Sequence, residues 1–183
     1  MKATEILMEE HRVIERVLTA LEKAAGRLES GQMRPGFFVD AAEFIKGFAD
    51  GCHHHKEEGV LFEVMVASGM PRHAGPIAVM LHEHEQGRAF TRGMREAAER
   101  LTAGDRNAGS AIVENARGYV ALLRQHIMKE DSVLFPMAGQ VIPAAEQDRV
   151  WERFEQVENE ETGHGVHEKY LALAQALERE LAQ

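Results

Sequence analysis

Apolar residues recur every three or four positions along four long stretches of the chain, which is the periodicity of a helix with one buried face. In the first stretch this stripe includes Leu7, Ile14 and Leu21. Segments rich in glycine and proline separate the stretches, and Pro136 is expected to end the fourth. The predicted helices run over residues 4–29, 37–67, 76–102 and 107–135.

Two shorter amphipathic stretches follow the fourth helix. One covers residues 143–160, and a last helix begins at His167 and ends near Leu181. A chain of 183 residues is one domain by size and is long enough to bury a substantial core. We therefore predict a single domain, with a core bundle over residues 4–138 and a C-terminal helical extension over residues 143–183.

One pattern of polar residues on these helices occurs twice. His53 is followed four positions later by Glu57, and His126 by Glu130, with Leu-Phe after each pair. The two copies are 126 − 53 = 73 residues apart. Residues i and i+4 lie on one face of an α-helix, with about 5–6 Å between their Cβ atoms. Each pair can therefore contribute two ligands to one metal ion.

The same 73-residue shift extends beyond this motif. It relates His11 to His84, and the apolar residues around these two histidines match as well. The repeated unit is thus a helical hairpin, in which one helix carries a single histidine and the next carries the His-x-x-x-Glu pair. We predict an all-α fold, an antiparallel up-down four-helix bundle built from two such hairpins, with the C-terminal helices added to it.

Two overlapping pairs in the second helix compete for the inward position. The row through His53 and Glu57 is otherwise apolar, whereas the row through His54 and Glu58 is mostly polar. The 73-residue shift selects the first row as well. We therefore expect His54, Glu58 and the neighbouring His55 at the rim of the bundle or in solvent.

The inward-facing polar side chains form a candidate set of metal ligands. The set consists of His11, His53, Glu57, His84, His126 and Glu130. His167 is expected to lie across the mouth of the bundle and to add a fifth imidazole, with His164 or His82 as alternatives. A structural zinc takes only four ligands, whereas two bridging carboxylates with imidazoles at either end suit two irons.

Some residues behind these ligands are candidates to orient the imidazoles through their second nitrogen. Tyr119 and Tyr170 are the favoured ones. Glu10 and Glu83 are considered for the same role but are expected to be solvated acids on helix faces. Asp131, next to a ligand glutamate, is likewise expected to face water.

Composition narrows the range of partners. A formal net charge of −9 disfavours nucleic acids and anionic membranes as partners. A single cysteine allows no intrachain disulfide, which fits a reducing compartment. From the sequence we expect no signal peptide and no membrane-spanning run. We predict a cytoplasmic protein, as a monomer or a homodimer.

The ligand pattern resembles that of the hemerythrin-like, or HHE cation-binding, family over residues 4–136. The resemblance implies a hemerythrin-type bundle that holds two non-haem irons, joined by an oxo or hydroxo bridge and by Glu57 and Glu130. Oxygen-carrying hemerythrins have a second histidine four residues after the one that corresponds to His84, where this chain has Arg88. They also have an aspartate five residues after the last histidine, where this chain has a glutamate after four. The chain is more similar to bacterial hemerythrin-like proteins linked to nitric oxide, peroxide or iron handling.

Three functions follow as hypotheses. The first is a di-iron protein that binds or reacts with O2, NO or hydrogen peroxide, in detoxification or iron handling, with an electron donor as a further partner. Its activity would be peroxidase-like, catalase-like or NO-reducing. The second is an O2 or NO sensor or reservoir without turnover. The third is a structural helical module whose metals only stabilise the fold.

Overall fold

Six helical segments and no strand make up the part of the chain that the structure describes. In this computed structural model that part is residues 1–163 and 165–182, without the side chains of residues 160–162. The segments are α1 (Lys2–Glu29), α2 (residues 36–67), α3 (Gly75–Thr102), α4 (residues 108–141), α5 (residues 144–163) and α6 (Val166–Leu181). Within the described residues, no helix has the length and apolar character needed to cross a membrane.

Helices α1 to α4 form a four-helix bundle. α1 packs on α4, α4 on α3, and α3 on α2, while α5 and α6 pack against the outside of α1 and α2. Side-chain pairs such as Glu22 with Arg124 and Glu29 with Arg117 show that α1 and α4 are antiparallel. The predicted all-α bundle is confirmed, and each helix begins within two residues of its predicted start.

The fourth helix is longer than the sequence predicted. Instead of ending at Pro136, α4 continues through an α-helical segment, Phe135–Val141. Pro136 lies in the first turn of that segment, directly after a π-helical turn. The Phe135 N–H bonds the carbonyl of Glu130 across the π turn, so the helix continues past Pro136 although this proline donates no hydrogen bond. The prediction that this proline ends the helix was therefore wrong.

Three of the helices contain π-helical turns. In α2 these are Ile45–His54 and Glu57–Leu61, in α4 Glu130–Leu134, and in α5 Val157–Gly163. A π turn holds one more residue than an α turn, so side chains on either side of it are rotated relative to an unbroken α-helical row. Both copies of the His-x-x-x-Glu motif lie at such turns, and single π turns in helices are frequent at functional sites.

A polar layer divides the hydrophobic core of the bundle into two parts. One apolar cluster includes Ile14, Ala49 and Ile127, and the other includes Leu7 and Leu134. The candidate ligands lie between these clusters, because His11, His53 and Glu130 fall between apolar residues of the two clusters along their own helices. The layer is therefore enclosed by apolar side chains above and below.

Helix α6 is held against α2 by a close approach at Gly47. The ring of Tyr170 lies so near this glycine that a Cβ atom added there would be 1.7 Å from Tyr170 Cζ. We expect Gly47→Ala to displace α6 and to destabilise the protein by about 1–3 kcal/mol, the usual cost of overpacking. Thermal unfolding of the two proteins under the same conditions measures this difference.

Gly26 provides the matched control for that substitution. It is an exposed residue of α1, and a Cβ atom added there would have no neighbour within 4 Å. Gly26→Ala is therefore expected to stabilise the protein by about 0.5–1 kcal/mol. If Gly47→Ala were as well tolerated as Gly26→Ala, the described docking of α6 would be incorrect.

Candidate metal centre

The six side chains predicted as metal ligands converge in the polar layer. All six are buried, and they come from the four helices of the bundle: His11, His53, Glu57, His84, His126 and Glu130. Their donor atoms form two groups, in each of which the atoms lie within 4.8 Å of one another. The first group is His11, His53, Glu57 and Glu130, and the second is His54, Glu57, His84 and His126.

His54 is the member of these groups that the sequence analysis placed at the rim. The structure instead has His54 5 % exposed, with its ring stacked on that of His84 at 3.8 Å between centroids. The prediction assumed an unbroken α-helix, in which one inward row excludes the next. The π turns of α2 allow His53 to face the first group and His54 the second.

Glu57 extends from one group of imidazoles to the other. Its Oε1 atom is 3.5 Å from Nε2 of His53, and its Oε2 atom is 3.5 Å from Nε2 of His84. One oxygen therefore faces each group. Glu57 is thus placed to contribute a ligand atom to each group.

Glu130 repeats this geometry from the opposite side of the bundle. Its Oε2 atom is 3.2 Å from Nε2 of His11, and its Oε1 atom is 3.2 Å from Nε2 of His126. Within the second group, Nε2 of His126 is also 3.1 Å from Nε2 of His84. The two carboxylates and the Nε2 atoms thus point at the same interior space.

The chemistry of these donor atoms fits bound cations. Nε2 of His11 and all four carboxylate oxygens of Glu57 and Glu130 are buried and accept or donate no hydrogen bond among the described residues. Burial, and then the charge of Glu130, raise the pKa of Glu57 well above its ordinary value. Leaving buried carboxylate oxygens without partners is costly, and cations held between them would remove that cost.

The outer nitrogen of every imidazole in the two groups is bonded to a carboxylate. The Nδ1 atoms pair His11 with Asp131 (2.7 Å), His53 with Glu10 (2.9 Å), His54 with Asp50 (3.3 Å), His84 with Glu58 (2.7 Å) and His126 with Glu83 (2.9 Å). Each Nδ1–H donates to its acid, so Nε2 keeps its lone pair for the interior. Hydrogen bonds of this kind orient imidazoles that bind metals.

Comparison with known proteins agrees with this geometry. The model of the hemerythrin HHE cation-binding domain matches residues 2–138. The chain belongs to this hemerythrin family. An uncharacterized protein of Mycobacterium tuberculosis is 26 % identical over 180 residues, which cover 98 % of this chain and 70 % of that protein. An iron-sulfur cluster repair protein of Musicola paradisiaca is 36 % identical over 89 residues, which cover 47 % of this chain and 40 % of that protein. No solved structure matches the chain.

In this hemerythrin-family chain, four of the orienting acids lie where the sequence did not predict them. Glu10, Glu83 and Asp131 were expected to face water, and Glu58 to lie at the rim, but each accepts a hydrogen bond from an imidazole. The 73-residue shift relates Glu10 to Glu83 and Glu58 to Asp131. That repetition was the available signal, because helix periodicity alone does not show which acids lie behind an imidazole.

Each orienting acid is in turn paired with a cationic side chain. The pairs are Lys56 with Glu10, Lys129 with Glu83, Arg12 with Asp131, and Arg88 with both Asp50 and Glu58. Burial favours a raised pKa for Glu58, but hydrogen bonds from His84 and Arg88 lower it to about 2. Glu58 therefore stays ionised near neutral pH and keeps His84 oriented.

The other predicted site residues lie apart from the two donor groups. His167 Nδ1 is 3.4 Å from Glu158, in a separate group with Glu10, because α6 starts beside the end of α5 and not over the bundle mouth. His82 is exposed, and His164 lies outside the described residues. The Tyr170 hydroxyl donates to an acid of α2, Glu43 (3.3 Å), and not to a ligand imidazole.

Tyr119, the other tyrosine considered for orienting an imidazole, is buried. Its hydroxyl has no hydrogen-bond partner among the described residues, so it does not orient an imidazole. It lines a cavity that His54 also lines. Tyr119 is therefore a neighbour of the second donor group without a bond to any of its members.

Proposed function

We propose that this hemerythrin-family domain holds two non-haem irons, bridged by Glu57 and Glu130. In this arrangement His11 and His53 bind one ion. Three imidazoles, His54, His84 and His126, bind the other. The observation that carries the proposal is that each carboxylate directs one oxygen to each group of imidazoles. Mixed imidazole and carboxylate ligation of this kind suits iron that binds oxygen species.

The two ions would have different numbers of protein ligands. The first has two imidazoles and two carboxylate oxygens, and the second has three imidazoles and two carboxylate oxygens. Iron often takes six ligands, so both ions keep room for a small molecule and the first keeps more. The protein contributes fixed donors and an apolar enclosure, and the irons contribute the electrons.

We propose O2, NO or hydrogen peroxide as the molecule that binds there, in detoxification or iron handling. The iron-sulfur cluster repair protein that matches half of the chain supports a role linked to iron. The alternatives are an O2 or NO sensor or reservoir without turnover, and a module whose metals only stabilise the bundle.

Metal analysis tests the di-iron proposal first. Protein expressed with iron and purified without chelators is expected to contain two irons per chain, one for each donor group. A content of one iron or less per chain, in protein that is folded by circular dichroism, would contradict it. Zinc or manganese in place of iron would retain the two sites but not the proposed chemistry.

Reaction with added ligands then separates the functions. Reduced, iron-loaded protein is mixed with O2, hydrogen peroxide or NO while its absorption spectrum is recorded. A reactive di-iron protein is expected to consume many equivalents of one of these molecules when reductant is supplied. A single stoichiometric change that reverses when the gas is removed would favour the sensor or reservoir. If none of the three molecules changed the spectrum, the result would favour a module whose metals only stabilise the bundle.

A further inference from the structure

A cavity of about 440 Å³ lies between α2 and α3, next to the second donor group. His54 and Tyr119 line it on the inner side. Small residues such as Ala42 and Gly87 leave space in its walls. The cavity therefore reaches from the surface of the bundle to one of the imidazoles of the metal centre.

Four cationic side chains line this cavity, and two of them are already paired. Arg88 donates to Asp50 at 2.7 Å and to Glu58 at 2.7 Å. Arg95 lies 3.4 Å from Glu43. The two acids in the cavity wall, Asp50 and Glu43, thus each have a cationic partner in the same wall. These two arginines are also shared with acids outside the wall, namely Glu58, Glu85 and Glu99.

The remaining two cations, Lys46 and Arg92, make the cavity positive. Both are exposed, and neither forms an ion pair with any side chain in the described part of the chain. The side chains that line the cavity carry four positive and two negative charges, whereas the chain as a whole carries a net charge of −9. Such an opening attracts small anions.

Tyr119 adds a buried hydrogen-bond donor to the wall of the cavity. Its side chain is 1 % exposed, and its hydroxyl has no partner among the described residues. Burial, and then the charge of Asp50, raise its pKa well above the ordinary value, so the hydroxyl keeps its proton. A buried polar group without a partner is costly, and a ligand oxygen would satisfy it.

We propose that this cavity binds a small oxyanion, a carboxylate or a phosphate, between Lys46, Arg92 and the Tyr119 hydroxyl. Binding itself needs no metal. The bound anion would lie beside His54, and its action as a ligand or co-substrate of the adjacent ion rests on the di-iron function proposed above.

Calorimetric titration tests the anion site. The protein as purified, with its metal content measured beforehand, is titrated with succinate, inorganic phosphate and the neutral analogue succinamide. We expect binding of succinate or phosphate, and the tighter of the two identifies the class of ligand. Lys46→Ala combined with Arg92→Ala is expected to weaken this binding about tenfold or more, because both cations without an acidic partner are then lost from the cavity wall.

Two further variants distinguish specific binding in the cavity from general attraction between the anion and positive charges of the protein. Lys23→Ala with Arg106→Ala removes the same charge from exposed positions outside the cavity and is expected to leave the affinity unchanged. Tyr119→Phe is expected to lower the affinity for the anion about fivefold or more. The unfolding temperature of this variant should stay the same or rise, because the hydroxyl makes no hydrogen bond among the described residues.

The proposal is overturned if neither anion binds, if succinamide binds equally, or if the Lys23 and Arg106 variant loses as much affinity as the cavity variant. Failure of the di-iron proposal would be seen separately, as a low iron content with anion binding intact.

Discussion

Replacing His54 with alanine is expected to remove one of the two proposed metal ions and to leave the other bound. His54 is buried in the second donor group, where its ring stacks on that of His84. Loss of a residue that only orients a ligand already weakens metal binding about 10–100-fold, so loss of a ligand should exceed the upper end of this range. Metal analysis after dialysis should find about half of the iron of the unchanged protein.

The neighbouring histidines provide controls for this prediction. His55→Ala changes an exposed residue of the same run, and His167→Ala changes the residue that the sequence analysis favoured as the fifth imidazole. Both variants are expected to keep their full iron content. If His167→Ala lost an ion and His54→Ala kept both, the assignment of the second donor group would be wrong.

Replacing Lys56 with alanine is expected to destabilise the metal-loaded protein by about 3–5 kcal/mol, the usual cost of breaking a buried ion pair. Lys56 is completely buried and donates to Glu10, and its Nζ atom is 3.3 Å from Glu158. Burial favours a raised pKa for Glu10, but the hydrogen bond and charge of His53 and those of Lys56 lower it. Without Lys56, a buried carboxylate would lose its cation. Urea unfolding measures the difference.

The 73-residue repeat supplies a matched control for Lys56. Lys129 holds the equivalent place beside Glu83, but 34 % of its side chain is exposed. Lys129→Ala is therefore expected to cost only about 1 kcal/mol or less. Combining Lys56→Met with Glu10→Gln should restore part of the lost stability, since no unpaired charge remains. Equal losses from Lys56→Ala and Lys129→Ala would contradict this account.

Helix periodicity and the internal repeat were enough to predict the bundle and six inward side chains. Both depend on spacing along a regular helix, which the sequence shows directly. His54 was missed because the π turns of α2 change that spacing, and no residue type marks a π turn. His167 was misplaced because the docking of α6 depends on contacts between distant segments, such as that of Tyr170 with Gly47. Glu10 was taken for a solvated acid because its partner Lys56 lies on another helix.

The doubled hairpin is symmetric in its scaffold but not in its ligands. The residue that the 73-residue shift places opposite His54 is Ile127, which is buried and has no donor atom in its side chain. A fully symmetric cradle would hold two chemically equivalent ions. With His54 in one half and Ile127 in the other, the two proposed ions would be chemically unequal. An incoming molecule or electron would then have a preferred side.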